Sequence, residues 1–228
     1  MVMRRRFMTS LKKVNINDFL TIVALEDETT IALTLYNGKV GLSNLKCSIN
    51  GGEWFDYVTT ISINQGDTLS LRASKYVSDA GSPMSISKKF NALGNASALG
   101  GICTRLFYKQ SVVDASLLKA GNSCKEMFYG CTSLTTAPEL PATTLTDSGY
   151  KGMFYGCTSL TTAPELPATT LAYGCYENMF YGCTSLTTAP ELPATTLETF
   201  CYKRMFYGCS KLNYIKMLAT NHRLGDGG

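Results

Sequence analysis

Met127 to Leu145 reads MFYGCTSLTTAPELPATTL, and this block decides the fold. It occurs three times without change, beginning at Met127, Met153 and Met179, which gives a period of 26 residues. A fourth copy begins at Met205 and then diverges, and a degenerate copy, LFYKQSVVDASLL, begins at Leu106. A period in the twenties with leucines at constant offsets predicts a leucine-rich-repeat solenoid, in which stacked copies bury one another.

Each copy places apolar residues at the same offsets, so stacking would align them in columns. The leucine columns are Leu134, Leu160, Leu186 and Leu212; Leu140, Leu166, Leu192 and Leu218; and Leu145, Leu171 and Leu197. Phe128, Phe154, Phe180 and Phe206 form an inward column, and Cys131, Cys157, Cys183 and Cys209 a packing ladder of thiols. The Leu-Thr-Thr-Ala stretch before Pro138 predicts a strand, and Cys175 to Tyr181 a short helix that ends at Gly182.

Each period contains a seven-residue segment that varies between copies at every position except a retained tyrosine. These variable segments read TDSGYKG from Thr146, AYGCYEN from Ala172 and ETFCYKR from Glu198. A constant frame with one varying patch favours a recognition surface, although solvent-facing turns that drift freely would give the same pattern. The candidate ligand-binding residues are Asp147, Tyr150, Lys151, Tyr173, Tyr176, Glu177, Glu198, Tyr202, Lys203 and Arg204. The retained tyrosines would anchor either the coil or a ligand.

The amino-terminal half changes to period-two hydrophobicity with turn signals. Asn37-Gly38, Asn50-Gly51-Gly52 and Gln65-Gly66-Asp67 separate short apolar runs, which predicts an antiparallel β-sandwich with Trp54 in its core. The fold class is therefore α+β: a small sandwich followed by the repeats. The predicted divisions are a basic arm (1–18), the sandwich (19–98), the repeats (99–221) and a flexible tail (222–228), with a junction rich in small residues over 74–101.

Composition and residue types exclude several function classes. The net charge is +4, the amino-terminal arm contains five of the cations, and no basic stripe with interleaved aromatics follows it, so we expect no nucleic-acid partner. No apolar run is long enough to span a membrane. With one histidine, His222, we expect no nucleophile–base pair, no enzyme activity, no cofactor and no metal. Glu139, Glu165 and Glu191 have identical neighbours, which favours a solvated charge column over catalytic carboxylates.

The FYGCTSL and PELPATTL phrases, with SINGGEW and GDTLSLRA before them, resemble the BspA-like leucine-rich-repeat proteins of gut and oral bacteria and their phages. The resemblance spans roughly Ile31 to Asn221 and implies adhesion to a protein or glycan ligand on a surface. Since MVMRRRFMTSLKK has no export-type apolar stretch, we predict a non-enzymatic binding and display protein of a phage virion. It would contact other virion proteins through the arm, and homo-oligomer formation stays open. A bacterial cell-surface adhesin is the alternative.

Overall fold

Ten β-strands and one short 3-10 helix make up the regular secondary structure of the computed structural model, which describes residues 19–33, 45–57, 60–73, 84–100 and 103–220. The strands are β1 Leu20–Ala24, β2 Thr29–Leu33, β3 Lys46–Ile49, β4 Phe55–Asp56, β5 Thr60–Ile63, β6 Thr68–Arg72, β7 Met84–Ile86, β8 Phe90–Asn95, β9 Val112–Asp114 and β10 Leu118–Lys119. The 3-10 helix, Ala96–Leu99, follows β8 directly. Strand structure therefore dominates the amino-terminal half.

Two sheets share one apolar core. The seven-stranded sheet has the order β10-β8-β1-β6-β3-β4, with β9 also on β8, and the smaller sheet has the order β5-β2-β7. Their pairings are antiparallel except those of β8 with β9 and β10, which are parallel. The turn between β3 and β4 contains Asn50 at φ 52° and Gly51 at φ 71°, the left-handed pair that suits a tight hairpin.

Trp54 does not lie in the core, contrary to the sequence prediction. It is half-buried, packs against the ring of Phe19 at 4.7 Å between centroids, and lies beneath the Arg72 guanidinium at 4.1 Å. The reason is its place just before β4, a two-residue edge strand whose side chains are exposed. β7 and β8 fall within the predicted junction, inside the 19–98 division, and belong to the two sheets. The Asn37-Gly38 turn, the basic arm and the tail lie outside the described residues.

Residues 103–220 form a pile of β-turns, here called the stack. Alternate backbone N–H groups have different partners. The N–H groups of Phe128, Phe154 and Phe180 donate to carbonyls of the following copy. Their acceptors are the carbonyls of Met153, Met179 and Met205, in that order, and each N···O distance is 2.9 Å. The intervening N–H groups donate three residues back within their own copy, as Met153 does to Tyr150 at 3.1 Å. Each copy is thus bonded to its neighbours through the backbone as well as through side chains.

The predicted α+β class and leucine-rich-repeat solenoid are wrong, since the described residues contain strands, turns and the one 3-10 helix but no α-helix. The stretch predicted as a helix, Cys175 to Tyr181, consists of turns. Left-handed residues interrupt it on both sides of Met179, at Gly174 (φ 58°), Asn178 (φ 56°) and Gly182 (φ 71°). An α-helix needs every N–H to bond four residues back, and here half of them reach the next copy instead.

The predicted strand before each Pro-Glu-Leu-Pro segment is also absent. Neighbouring copies meet there in an isolated bridge, as Thr162 does with Thr188. Proline has no N–H to extend such a bridge into a ladder, which gives a physical reason for the missing strand.

Apolar columns do run through the stack. Leu134, Leu160 and Leu186 are fully buried, and the rings of Phe128, Phe154 and Phe180 are stacked at 5.7 and 5.4 Å. The columns weaken at the carboxy-terminal end, where the predicted column residue Leu218 is 41% exposed. At the other end, β9 and β10 join the seven-stranded sheet. One continuous core therefore extends across residue 98, the predicted boundary between the sandwich and the repeats.

Candidate binding surface

The retained tyrosines of the variable segments belong to the interior. Tyr150 and Tyr176 are each 1% exposed, and their rings stack at 5.9 Å between centroids. Tyr202 continues the column at 5.7 Å and is half-buried, with its hydroxyl buried. Burial raises the pKa of all three phenols, because the charged form would lose its hydration. The rings of these three predicted site residues therefore pack inside the stack.

The predicted site residues other than these tyrosines are exposed or half-buried, and together with Phe200 they are named the variable face. Tyr173 is 49% exposed. Its ring meets the ring of Phe200 edge-on at 5.6 Å, and the Lys203 ammonium lies 4.4 Å from the centre of the Phe200 ring. Two aromatic rings and a cation from neighbouring copies therefore form one cluster, which suits contacts with both apolar and polar groups.

Three charged residues form a row beside this cluster. Lys151 donates to Glu177 at 2.6 Å, and Lys203 approaches the other oxygen of the same carboxylate at 3.9 Å. The Glu177 side chain is only 13% exposed, whereas the two lysines keep about a third of their surface in solvent at 31% and 28%. The carboxylate therefore bridges three successive copies and leaves the row with a net positive charge.

The other predicted site residues are exposed. Asp147 accepts a hydrogen bond from the backbone N–H of Tyr173 at 3.2 Å, so it orients the segment that holds the aromatic cluster. Glu198 and Arg204 are exposed at the last copy. Arg204 has φ 52° and Phe200 has φ 59°, a backbone conformation that side chains of this size rarely adopt.

Sequence reasoning missed Phe200. Its counterparts in the preceding copies are Ser148 and Gly174, and all three have a positive φ, at 55°, 58° and 59°. A large ring at a position that favours glycine is costly by about 1–3 kcal/mol and is more common at functional sites than elsewhere. The replacement of a small residue by an aromatic one within the varying segment was the signal in the sequence.

A second missed feature is a row of half-exposed tyrosines. Tyr129, Tyr155 and Tyr181 stack at 4.5 and 4.6 Å with nearly parallel rings, and Tyr108 and Tyr207 extend the row at its ends. Partial burial, followed by the neighbouring phenols, raises the pKa of Tyr129. The alternation of a buried Phe with a surface Tyr in every MFYGC phrase was the sequence signal for this row.

The Pro-Glu-Leu-Pro segments of two copies line a shallow groove of about 450 Å³. Its walls are prolines and Leu140, with the carboxylates of Glu139 and Glu165 at its rim. Glu139 approaches Lys119 at 3.9 Å and Glu191 binds Lys216 at 2.7 Å, both at exposed positions. Such exposed pairs contribute little to stability, and they partly neutralise the predicted charge column.

The thiols lie in the interior of the molecule. All nine cysteines are free and buried. Each thiol of the predicted ladder donates to the carbonyl of a phenylalanine in an earlier copy, as Cys157 does to Phe128 at 3.2 Å. Burial raises the pKa of Cys131 and Cys183 to about 12, so the thiolate that a nucleophile needs is disfavoured. Within the described ranges no group of histidine, cysteine and acidic side chains has the arrangement of a metal site.

Comparisons with known proteins leave the family open, since no family model, curated protein or solved structure matches this chain. The resemblance to BspA-like proteins therefore stays a prediction from the repeat phrases. In the part of the chain that the structure describes, no helix has the length and apolarity needed to cross a membrane.

Proposed function

We propose that the protein is a non-enzymatic binding and display protein that recognises a protein or glycan ligand through the variable face. One observation carries the proposal. Within the varying segments, the residue that repeats is buried, while most residues that differ lie at the surface side by side. Packing accounts for the buried tyrosines, and it does not account for an exposed Tyr173 beside a strained Phe200.

The chemistry of the face favours a ligand with both apolar and hydroxyl-rich or charged groups. Tyrosine and phenylalanine supply large contact areas at low entropic cost, and Lys203 and Glu177 supply directional polar contacts. Side chains that lie open to solvent, as Tyr173 does, suit a glycan or a protein surface better than a small metabolite.

Two variants and a matched control test the assignment. The full chain is first screened on a glycan array and a panel of bacterial surface proteins to obtain a ligand. Tyr173→Ala and Phe200→Ser should then weaken binding at least about tenfold, as expected for central aromatic contacts. Tyr214→Ala is the control, because Tyr214 is also exposed, at 70%, but lies outside the variable face.

Exchange of the variable segments gives an independent test. Replacing residues 172–178 by the sequence of 146–152 keeps every constant block and the buried tyrosine. Loss of binding at an unchanged unfolding midpoint supports the proposal. Retained affinity at unchanged stability would mean that the sequence of these turns varies without any effect on binding. The assignment of binding to the variable face would then be wrong.

We further propose that the protein is displayed on a phage virion, with the bacterial cell surface as the competing location. Free, buried thiols suit assembly in a reducing cytoplasm, because disulfides are common where proteins are exported. Copurification with virions through a density gradient tests the location. Recovery in an outer-membrane fraction of cells without phage particles supports the adhesin instead.

A further inference from the structure

A stripe of charged side chains runs along one side of the stack, and it is here called the cationic stripe. It occupies two consecutive positions in each copy, and its charged members are Arg105, Lys125, Glu126, Lys151, Glu177, Lys203 and Arg204. Five cations against two acids leave a formal net charge of +3. The stripe is not a run in the sequence, because its members come from successive copies and meet only when the copies stack.

Aromatic rings lie on both sides of the cationic stripe. On one side the Lys203 ammonium lies 4.4 Å from the centre of the Phe200 ring. On the other side the Arg105 guanidinium lies 5.3 Å from the centre of the Tyr108 ring, at one end of the tyrosine row. All five tyrosines of that row donate their N–H to the carbonyl of the second stripe position of their own copy, at 3.0–3.2 Å. The tyrosine row therefore follows the stripe along the stack.

The two acids of the stripe are buried more deeply than the cations that pair with them. The Glu126 side chain is 15% exposed, whereas its partner Arg105 is 39% exposed. The Glu177 side chain is 13% exposed and lies between the ammonium groups of Lys151 and Lys203. The Lys203 ammonium has three donors and stays 3.9 Å from this carboxylate. A ligand from solvent therefore meets mainly positive charge at the stripe.

Exposed acids of the stack occupy other positions. Asp147 and Glu198 of the variable face precede the position of Phe200 within their copies, whereas the stripe follows it. Glu139 and Glu191 belong to the Pro-Glu-Leu-Pro segments, where they face Lys119 and Lys216. The positive charge of the stripe is therefore not cancelled by exposed acids within it.

The spacing of the copies suits a linear polyanion. Ring centres in the tyrosine row are 4.5–5.1 Å apart, so each copy advances the stripe by about the length of one sugar ring in an extended chain. A chain with regularly placed anionic groups contacts several copies at once, and its separate weak contacts then reinforce one another.

The arrangement of the rings favours a hydroxyl-rich polyanion over a nucleic acid. Single-stranded nucleic acids gain affinity when their bases stack on free ring faces. In the tyrosine row, neighbouring rings cover each other's faces, as Tyr155 and Tyr181 do at 4.6 Å with an interplanar angle of 3°. The ring edges and phenol hydroxyls are left for a ligand, and a hydroxyl both donates and accepts hydrogen bonds.

We propose that the cationic stripe binds an acidic polysaccharide that lies along the axis of the stack. The anionic groups of the polysaccharide pair with the ammonium and guanidinium groups, and its sugar rings pack beside the aromatic rings. This inference rests on the proposed function, because the stripe shares Lys151, Glu177, Lys203 and Arg204 with the variable face. It names the class of glycan that this face recognises.

The test compares an acidic oligosaccharide with its neutral counterpart on the full chain under reducing conditions. The probes are a long oligogalacturonate and the same oligomer with its carboxylates methyl-esterified. Titration calorimetry should show the ester binding at least about tenfold more weakly, the effect of losing several exposed ion pairs. Added salt should weaken binding of the acid, because it screens exposed charges.

Charge-matched variants locate the binding. Lys125→Gln and Lys203→Gln should each weaken binding of the acid about fivefold, the effect of one exposed ion pair. Lys125 takes part in none of the ion pairs described above, so its variant leaves the Glu177 contacts in place. Lys216→Gln is the control, since it removes the same charge from a side chain that is 52% exposed and pairs with Glu191 outside the stripe. Unfolding midpoints verify that the variants fold.

The inference is overturned if neither probe binds, if acid and ester bind equally, or if Lys216→Gln weakens binding as much as Lys125→Gln does. Equally tight binding of an oligodeoxythymidylate with the same number of charges would assign the stripe to nucleic acids and overturn it as well. Failure of the proposed function is a separate result, in which Tyr173→Ala leaves the affinity for the ligand found on the array unchanged.

Discussion

Left-handed backbone positions limit which residues each repeat accepts. The column of Glu126, Gly152, Asn178 and Arg204 has φ between 52° and 59° in every copy. Glycine and asparagine adopt this conformation readily, whereas other residues lose roughly 1 kcal/mol there. The backbone conformation at this position is therefore common to all copies. The residue that occupies the position differs from copy to copy, and so does the energetic cost of the left-handed conformation.

We expect Arg204→Gly to stabilise the chain by about 1 kcal/mol, because it removes the left-handed strain at an exposed position. Urea denaturation should show the gain as a higher midpoint with an unchanged slope. Arg204→Ala is the control and should show no gain, since alanine retains the strain. Equal midpoints for glycine and alanine would mean that the strain is small.

Buried thiols should make the fold sensitive to alkaline pH. A thiol has a pKa of about 8.5 in an unfolded chain, and burial raises it to about 12 for Cys131 and Cys183 and well above its ordinary value for Cys157. The unfolded chain therefore loses thiol protons first. The resulting stability is complete below pH 8.5 and declines as pH rises toward the folded pKa.

Between pH 8.5 and 10 we expect the free energy of unfolding to fall by up to about 1.4 kcal/mol per pH unit for each buried thiol. Urea midpoints across this range measure the slope. Cys157→Ala removes one such thiol and should flatten the pH dependence, although it lowers stability at every pH. A parallel shift with no change of slope would contradict the assigned burial.

At the scale of elements, the sequence predicted the columns of apolar side chains correctly. It predicted the wrong backbone conformation for the residues between those columns. Leu160 and Phe154 repeat at constant offsets, and repetition alone indicates that they face their counterparts. Gly152 and Gly156 are compatible with left-handed turns, but the spacing of the apolar residues does not identify these turns. A short helix and a series of left-handed turns would give the same spacing. Hydrogen bonds to the next copy decide between them, and they depend on residues a full period away.

Leucine columns should dominate the stability of the turns. Leu160→Ala removes a fully buried side chain and should cost about 2–5 kcal/mol, whereas Leu218→Ala, at a position 41% exposed, should cost far less. Thermal or urea unfolding of the two variants checks the contrast. Comparable losses would mean that Leu218 is covered in solution by contacts outside the described residues.

At the scale of the whole molecule, the sandwich and the stack share one continuous core. β8 pairs with β1 on one side and with β9 and β10 of the stack on the other, and Phe90 contacts Phe107 across this border. Alternating hydrophobicity predicted short strands in the amino-terminal half, but it contained no information about which strand would receive the repeats. Parallel pairing with β8 depends on the three-dimensional meeting of distant segments.

The binding surface was predictable only in part for a similar reason. Variation between copies located the right turns, because the constant residues are those that packing constrains. It did not distinguish Tyr176, which is buried, from Tyr173, which is exposed. Two tyrosines three positions apart in a turn face opposite directions, and only the backbone conformation reveals which is which.

The bonds between copies also determine how the molecule responds to mechanical load. Five parallel N–H···O=C bonds join residues 174–182 to the last copy, and pulling that copy away loads this one interface before any other. Each released period frees about 90 Å of extended chain. Because the constant blocks are identical, successive ruptures require similar forces, so tension at the carboxy-terminal end is relieved in equal steps while the sandwich remains folded.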